Sequence, residues 1–247
     1  MISESSHLNL LYVTPEWVAK SKVFMNFLQK CFDKGHLKRI VIDEVHCCST
    51  WGHDFRPEYN HLGFFKSMFP GVPILGLTAT ATMSVLIDIQ NMLNLNDALI
   101  ITAPFNRPNL YYKVINKPLD KNDCLNILEK LLKGKYKDQS GIIYTSTVKE
   151  CEDISKALKD RGLKVKFYHG QLEPDVKRII HERWLRNNYQ AVIATIAFGM
   201  GIDKPDVRFV IHHAIPKSME GLYQESGRAG RDGKKSDCIL MFNLSDF

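Results

Sequence analysis

The sequence predicts an α/β protein of two tandem parallel-sheet domains. Apolar, β-branched runs of strand length alternate with stretches of helical periodicity along most of the chain, which is the pattern of strands joined by helical crossovers. Pro104 and Pro108 interrupt that alternation at a point where neither a helix nor a central strand accommodates them, and it then resumes. A length of 247 residues suffices for two domains of ordinary size, and the expected domains are 1–104 and 105–247.

In chain order, residues 8–13 read as a strand ending at Thr14-Pro15-Glu16. A helix follows with Val23, Phe24, Phe27, Leu28 and Cys31 on one face, closed by Gly35. The β-branched residues 40–42 predict a buried strand of a parallel sheet. Residues 47–59 form a loop dense in aromatic and charged groups. A strand at 73–77 precedes a helix marked by Val85, Ile89 and Leu93, and 98–102 reads as another strand. In the second half, strands are expected at 141–145, 165–168, 191–195 and 207–212. Thr147-x-x-Glu150 is a capping-box signature opening a helix through Leu158, stopped at Gly162. Pro174 suits a helix start, with Val176, Ile179, Ile180 and Trp184 at helical spacing.

Composition narrows the function classes. Hydrophobic residues make up 45% and charged residues 24%, as in soluble globular proteins. No apolar run approaches the length of a membrane span, so no membrane association is expected. The first six residues carry neither a basic region nor an apolar core, so they predict no secretory signal. The six cysteines show no C-x-x-C spacing and read as reduced intracellular thiols, with no zinc site expected. Residues 1–104 carry 8 Lys/Arg against 9 Asp/Glu, whereas 105–247 carry 25 against 18. A basic second half suits a polyanionic partner, and equally a solvated lysine-rich surface.

Three constellations carry candidate chemistry. Asp43-Glu44-Val45-His46 ends the strand at 40–42, the place where open α/β sheets bind ligands. There the first carboxylate can hold Mg²⁺ and the second can take a proton from attacking water, although acidic residues also end strands for solvation alone. In Gln224-Glu225-Ser226-Gly227-Arg228-Ala229-Gly230-Arg231-Asp232-Gly233, Arg228 and Arg231 would share a face if the segment were helical. Guanidinium forks match phosphate oxygens, and the bland reading is a basic glycine-rich turn. Residues 194–203 run from a strand into a loop whose glycines, Gly201 among them, allow close approach to a ligand, with Asp203 as an acceptor for ribose or arginine.

Together these residues resemble superfamily 2 helicases, and specifically the RecQ family of DNA helicases. The resemblance rests on the DEVH box (43–46), Trp51-Gly52-His53-Asp54-Phe55-Arg56-Pro57, Leu77-Thr78-Ala79-Thr80-Ala81-Thr82, Phe105-Asn106-Arg107-Pro108-Asn109-Leu110, 194–203 and 224–233, in order along nearly the whole chain. The DEVH spelling and the run 198–213 are most similar to the type-one RecQ-like helicases. The resemblance implies two RecA-like domains and an ATP-driven motor moving 3′→5′ on single-stranded and forked DNA, in DNA repair and recombination in the nucleus. It implies ATP and Mg²⁺ as cofactors, with Asp43 holding Mg²⁺ through water, Glu44 deprotonating the attacking water and His46 coupling nucleotide to DNA. Arg231 would be the arginine finger and Arg228 a second γ-phosphate or network contact. Gln224, Gly201 and Asp203 would line the nucleotide. Trp51, Phe55 and Arg56 would contact single-stranded DNA, and Thr78, Thr80, Ser146 and Thr195 would make interdomain or backbone contacts.

The sequence also departs from that pattern. It contains no G-x-x-x-x-G-K-[ST] loop, the main ground-state grip on ATP, which in the family lies upstream of Leu10. A first domain truncated at its N-terminus, and weak or undetectable nucleotide binding by this chain alone, are therefore expected. The cysteines of the family's zinc-binding segment are absent, so the duplex-splitting wedge is expected to be missing as well. Thr50 stands where most members carry glutamine, and 142–147 is a looser match. The alternative is a truncated non-catalytic DNA-binding or interaction module that keeps the helicase fold. A metalloprotease is excluded because His46 and His53 are not in H-E-x-x-H spacing.

Overall fold

All strand pairs among the described residues run parallel. The structure, a computed structural model, describes residues 8–50, 55–95, 97–199 and 201–246. The chain divides into two compact units, residues 1–102 and 103–247.

In the first unit α1 (Pro15–Lys20) and α2 (Lys22–Asp33) precede β1 (Ile40–Ile42). Two 3₁₀ turns follow, Val45–Cys48 and Pro57–Gly63, then α3 (Phe64–Met68), β2 (Ile74–Gly76) and α4 (Met83–Met92). Each longer element starts where a hydroxyl can satisfy an orphan amide. Thr14 Oγ1 accepts from Trp17 N–H at 3.3 Å, Ser21 Oγ from Phe24 N–H at 3.2 Å and Thr82 Oγ1 from Val85 N–H at 3.4 Å. β1 pairs with β2 in the register Ile40↔Ile74 to Ile42↔Gly76. Phe24, Ile42, Val45, Phe65, Val85 and Ile89 pack into one apolar cluster beside this pair.

Three expectations for this unit fail. Residues 8–13 form no strand, because a strand needs a partner for its hydrogen-bond ladder and no described residue supplies one; α1 takes up the chain immediately afterwards. Residues 98–102 form no strand either, and Leu99 and Ile101 are each 85% exposed. β1 is buried on one face only: Ile42 is 5% exposed and Val41 51%.

The second unit is a six-stranded sheet in the order β3-β8-β7-β4-β6-β5. Its elements are β3 (Leu110–Asn116), α5 (Lys121–Lys133), β4 (Ser140–Tyr144), α6 (Val148–Asp160), β5 (Val165–Tyr168) and α7 (Pro174–Leu185). These are followed by β6 (Ala191–Ala194), β7 (Val207–His212), α8 (Met219–Ser226) and β8 (Ser236–Phe242). Alternate side chains of the central strands enter different cores, as the pleat requires. Ile143, Ile193, Ile211 and Ile239 pack under α5 and α6 with Leu128 and Leu158. Ile142, Val192, Val210 and Cys238 pack on the other face with Ile180 and Trp184 of α7. Burial on both faces explains why these strands read as continuous apolar runs. The alternation of helix and strand was foreseen, but β3, α5, α8 and β8 were not; the apolar run 238–242 was the available signal for β8.

The start of α6 is an internally neutralised helix terminus. Thr147 Oγ1 accepts from Glu150 N–H at 3.2 Å, the first half of the expected capping box. The reciprocal half is displaced by one residue, because Glu150 Oε2 accepts from Ser146 N–H and Ser146 Oγ, each at 3.1 Å. Glu150 Oε1 lies 2.8 Å from His213 Nδ1, just beyond β7. Burial by itself would raise the Glu150 carboxyl, but the His213 hydrogen bond and charge and the Ser146 donors outweigh it and hold the pKa at about 2.

Two expectations follow for stability. Gly141 of β4 pairs with Phe209 of β7, whose ring stacks on Tyr136 at 4.4 Å, and a Cβ at 141 would overlap that ring. Gly141→Ala should destabilise the chain by about 2–3 kcal/mol through overpacking, read as a lower urea midpoint at unchanged slope. Because the folded Glu150 pKa is depressed, its stabilisation is present above the ordinary value of 4.5 and is lost as pH falls toward 2. Glu150→Gln should therefore cost about 2 kcal/mol at pH 7, and in urea titrations across pH its deficit should shrink steadily below pH 4.5.

Candidate functional site

The first unit gathers its candidate residues at the carboxyl end of β1. There the chain turns sharply: Asp43 Oδ1 accepts from Glu44 N–H at 2.9 Å, and Glu44 takes the left-handed conformation at φ 49°. The ladder continues past the strand ends, with Leu77 N–H donating to Ile42 O and Val45 N–H to Leu77 O, both at 2.9 Å. This leaves the Asp43 carboxylate exposed, the Glu44 carboxylate half-exposed and the His46 ring buried below them.

A continuous polar chain leads away from the carboxylates. Glu44 Oε2 lies 3.4 Å from His46 Nδ1, and His46 Nδ1 lies 2.8 Å from Thr78 Oγ1. The Thr78 hydroxyl donates to Thr80 O and accepts from Thr80 N–H, both at 3.2 Å. A hydroxyl has one proton, so Thr78 accepts from His46, which assigns the proton to Nδ1. The imidazole thus donates toward Thr78 and, more distantly, toward Glu44. Thr80 is buried, and its own Oγ1 has no hydrogen-bond partner among the described residues.

The aromatic-rich segment reaches the same strand end. Trp51 and residues 52–54 lie outside the described residues. Phe55 is exposed; Arg56 is partly buried, and its N–H donates to Cys47 O at 3.0 Å. Tyr59 is buried, and its hydroxyl donates to Asp43 O at 3.1 Å. Burial, reinforced by Cys47, Glu44 and Asp43 nearby, pushes this phenol up to about 12, so it stays a donor.

In the second unit α8 stops at Ser226, so Arg228 and Arg231 stand on the turn beyond it and share no helix face. Gly227, at the helix C-cap, is where the chain leaves the helix. Arg228 is partly buried and its Nη1 donates to Gly199 O, whereas Arg231 is exposed and pairs with Asp203 Oδ1 at 3.0 Å. The structure thereby brings 224–233 together with 194–203. Gln224 is partly exposed on α8, and Gly201 is exposed at φ +75°, next to Met200, which lies outside the described residues. Ser146 and Thr195 follow β4 and β6: Ser146 is exposed and engaged by Glu150, and Thr195 N–H donates to Tyr168 O at 3.2 Å.

Sequence reasoning gave Glu150 only a helix-capping part and assigned no role to Tyr59, Arg107 or Asn109, although the last two stand in a quoted motif. Arg107 Nη2 donates to Ala229 O at 3.1 Å and Gly230 O at 2.9 Å, and Asn109 Nδ2 donates to Gly230 O at 2.9 Å and Lys234 O at 3.0 Å. Among the described residues no cluster of three or more His, Cys, Asp or Glu could hold a metal ion, and no helix is long and apolar enough to cross a membrane. Asp43 and Glu44 supply two solvent-facing carboxylates, a donor set that suits Mg²⁺, which keeps several waters and shares phosphate oxygens.

Comparison with known proteins bears on the family and the fold. The DEAD/DEAH box helicase profile matches residues 1–89, and the helicase conserved C-terminal domain matches residues 123–233. The ATP-dependent DNA helicase Q1 of Pongo abelii is 53% identical over 246 residues, covering 100% of this chain and 38% of that protein. The putative ATP-dependent DNA helicase Q1 of Caenorhabditis elegans is 53% identical over 244 residues, covering 99% and 39%. The ATP-dependent helicase SGS1 of Saccharomyces cerevisiae is 45% identical over 239 residues, covering 97% and 16%. The chain thus spans well under half the length of these relatives. Among solved structures, S. cerevisiae Dbp5 bound to RNA and ADP BeF3 matches with a TM-score of 0.69 at 18% identity, covering 90% of this chain and 58% of that one. A DEAD box protein from Methanococcus jannaschii matches with a TM-score of 0.53 at 23% identity, covering 89% and 59%. These structural likenesses carry the fold alone, the RecA-like α/β arrangement of DEAD-box proteins. The two helicase profiles and the full-chain identity to Q1 proteins establish that this chain belongs to the RecQ family of ATP-dependent DNA helicases.

Proposed function

We propose that these residues work as part of an ATP-driven motor, built from RecA-like domains at 1–104 and 105–247, that moves 3′→5′ along one strand of single-stranded or forked DNA and separates the duplex. The observation that carries the reading is the polar chain from Glu44 through His46 and Thr78 to Thr80, because it joins a candidate hydrolytic base to residues beyond it. In this reading Glu44 orients the attacking water and takes its proton as the water oxygen bonds to the γ-phosphorus and the bond to the ADP oxygen breaks. Mg²⁺, when bound through water at Asp43, would neutralise charge on the phosphate oxygens. Arg231 pairs with the γ-phosphate as the arginine finger, Arg228 holds the neighbouring loop, and Gln224, Gly201 and Asp203 serve the nucleotide. Exchange of Arg231 between Asp203 and phosphate follows from the exposed position of that ion pair.

The same chain supports a coupling role for His46. A shift of Thr78 or Thr80 on DNA binding would move the acceptor of the His46 proton, and so the ring beside Glu44. Trp51 and Phe55 stack on bases without sequence preference, Arg56 meets a phosphate, and Thr80, Ser146 and Thr195 contact the strand backbone. Tyr59 ties this loop to Asp43. Action in DNA repair and recombination within the nucleus completes the proposal.

The reading is tested in a polypeptide carrying these residues together with a phosphate-binding loop, by ATP hydrolysis with and without single-stranded DNA. Glu44→Gln should lower the DNA-stimulated rate by about 10²-fold or more while ATP binding is retained; normal turnover by that variant would sink the general-base role. Thr78→Val, nearly isosteric, removes the acceptor of the His46 proton. It should reduce DNA stimulation several-fold more than the basal rate, and equal loss of both would rule out the coupling.

A further inference from the structure

The segment bearing the two arginines is held partly by its own turn bonds, such as Gly233 N–H to Gly230 O at 3.0 Å, and partly from far along the chain. After α8 ends, residues 227–235 run without regular structure to β8, and Gly230 sits in the left-handed region at φ +56°. A Cβ there would press on the Asn109 side chain, Lys234 O and Ser236 Oγ, so only glycine lets the strands close on the turn. The turn leaves the carbonyls of Ala229, Gly230 and Lys234 outside any ladder. All three are met by side chains from more than a hundred residues earlier, namely Arg107 and Asn109.

The position of those bonds matters more than their number. The Gly230 carbonyl belongs to the peptide group whose nitrogen is that of Arg231. Arg107 and Asn109 both donate to it at 2.9 Å and Gly233 N–H donates at 3.0 Å, so the plane from which the Arg231 side chain departs is fixed by three donors, two of them side chains from outside the turn. On its other side Gly230 N–H donates to Val207 O, the first residue of β7, at 2.9 Å. The segment 105–109 that carries these donors is itself anchored: β3 begins at Leu110, in register with Ser236 of β8, and the Tyr223 hydroxyl of α8 donates to Phe105 O at 3.0 Å. Both Arg107 bonds leave the one Nη2, whose two N–H directions are fixed by the planar guanidinium, whereas a lysine ammonium turns freely on its stem.

We propose that Arg107 and Asn109 are positioning residues for Arg231: they set the approach of its guanidinium to phosphate without touching the nucleotide themselves. This rests on the arginine role proposed above. A donor that acts only in the transition state affects kcat and leaves KM nearly unchanged. Misplacement by roughly 1 Å is enough to cost about 10²-fold.

The test uses two measurements. In these 247 residues, hydrogen exchange of the Gly230 amide should quicken at least about tenfold in Arg107→Ala, while the amides of β4 and β6 exchange as before. In the polypeptide that also carries a phosphate-binding loop, Arg107→Ala and Asn109→Ala should each lower kcat by about 10- to 100-fold. The KM for ATP should stay within about twofold. In an Arg231→Ala background, Arg107→Ala should add no further loss, because both act through one guanidinium. Should Arg107→Ala fail to fold, Arg107→Lys serves instead, with a smaller loss of kcat and the same absence of effect in the Arg231→Ala background. A normal kcat in Arg107→Ala, or an equal further loss when Arg231 is already absent, overturns the proposal. If Arg231→Ala alone hydrolyses ATP at the parent rate, the arginine role itself falls. That result appears with Arg107 untouched, so the two failures are told apart.

Discussion

Parallel strand pairing is the constraint on which the rest of this molecule depends. It sends the carboxyl ends of neighbouring strands to one edge and forces every connection to cross a sheet face. In the first unit it places Asp43 and Thr78, which follow paired strands, side by side, and the ladder bonds beyond β1 and β2 hold them there. In the second unit it brings Ser146, Thr195 and His213 to a common edge, since each follows one of three adjacent strands. The return to the opposite edge is made by 195–206 and 227–235, and these crossings carry Asp203 and the arginines.

Buried polar groups show where that scaffold is specialised. His46 is almost wholly enclosed and would be costly there without partners; Thr78 and Glu44 supply them. Thr80 Oγ1, at the far end of the same chain, is enclosed with no partner among the described residues. Native structures rarely leave such groups unmatched, and those left unmatched gather where something else binds or moves. Arg107 and Asn109 illustrate the reverse case, in which the carbonyls of Ala229, Gly230 and Lys234 in an irregular turn have been given donors.

Much of this could be read from the residues. Two-sided burial writes an apolar run, so β4, β6 and β7 were legible, and capping chemistry marked α6 and α7. The failures have specific causes. Residues 8–13 and 98–102 have strand composition but no ladder partner among the described residues, and composition cannot report a partner. β3 is an edge strand with exposed Tyr111 and Val114, so its pattern is blurred, and α8 is too short to show a period. The candidate residues were legible only as motifs. That Arg228 turns inward to Gly199, and that Arg107 supports the turn from more than a hundred residues away, depends on tertiary geometry that no local pattern encodes.

The backbone at Glu44 has a consequence for how this protein would respond to selection. A non-glycine residue at φ 49° is held in a conformation that glycine or asparagine adopts with less strain. The fold alone would therefore favour another residue at the position where the carboxylate stands. A library of variants selected only for thermal endurance would drift away from glutamate here, and a selection for turnover would restore it. The two pressures oppose each other at a single backbone dihedral, which makes this position a marker of which pressure a given lineage has felt.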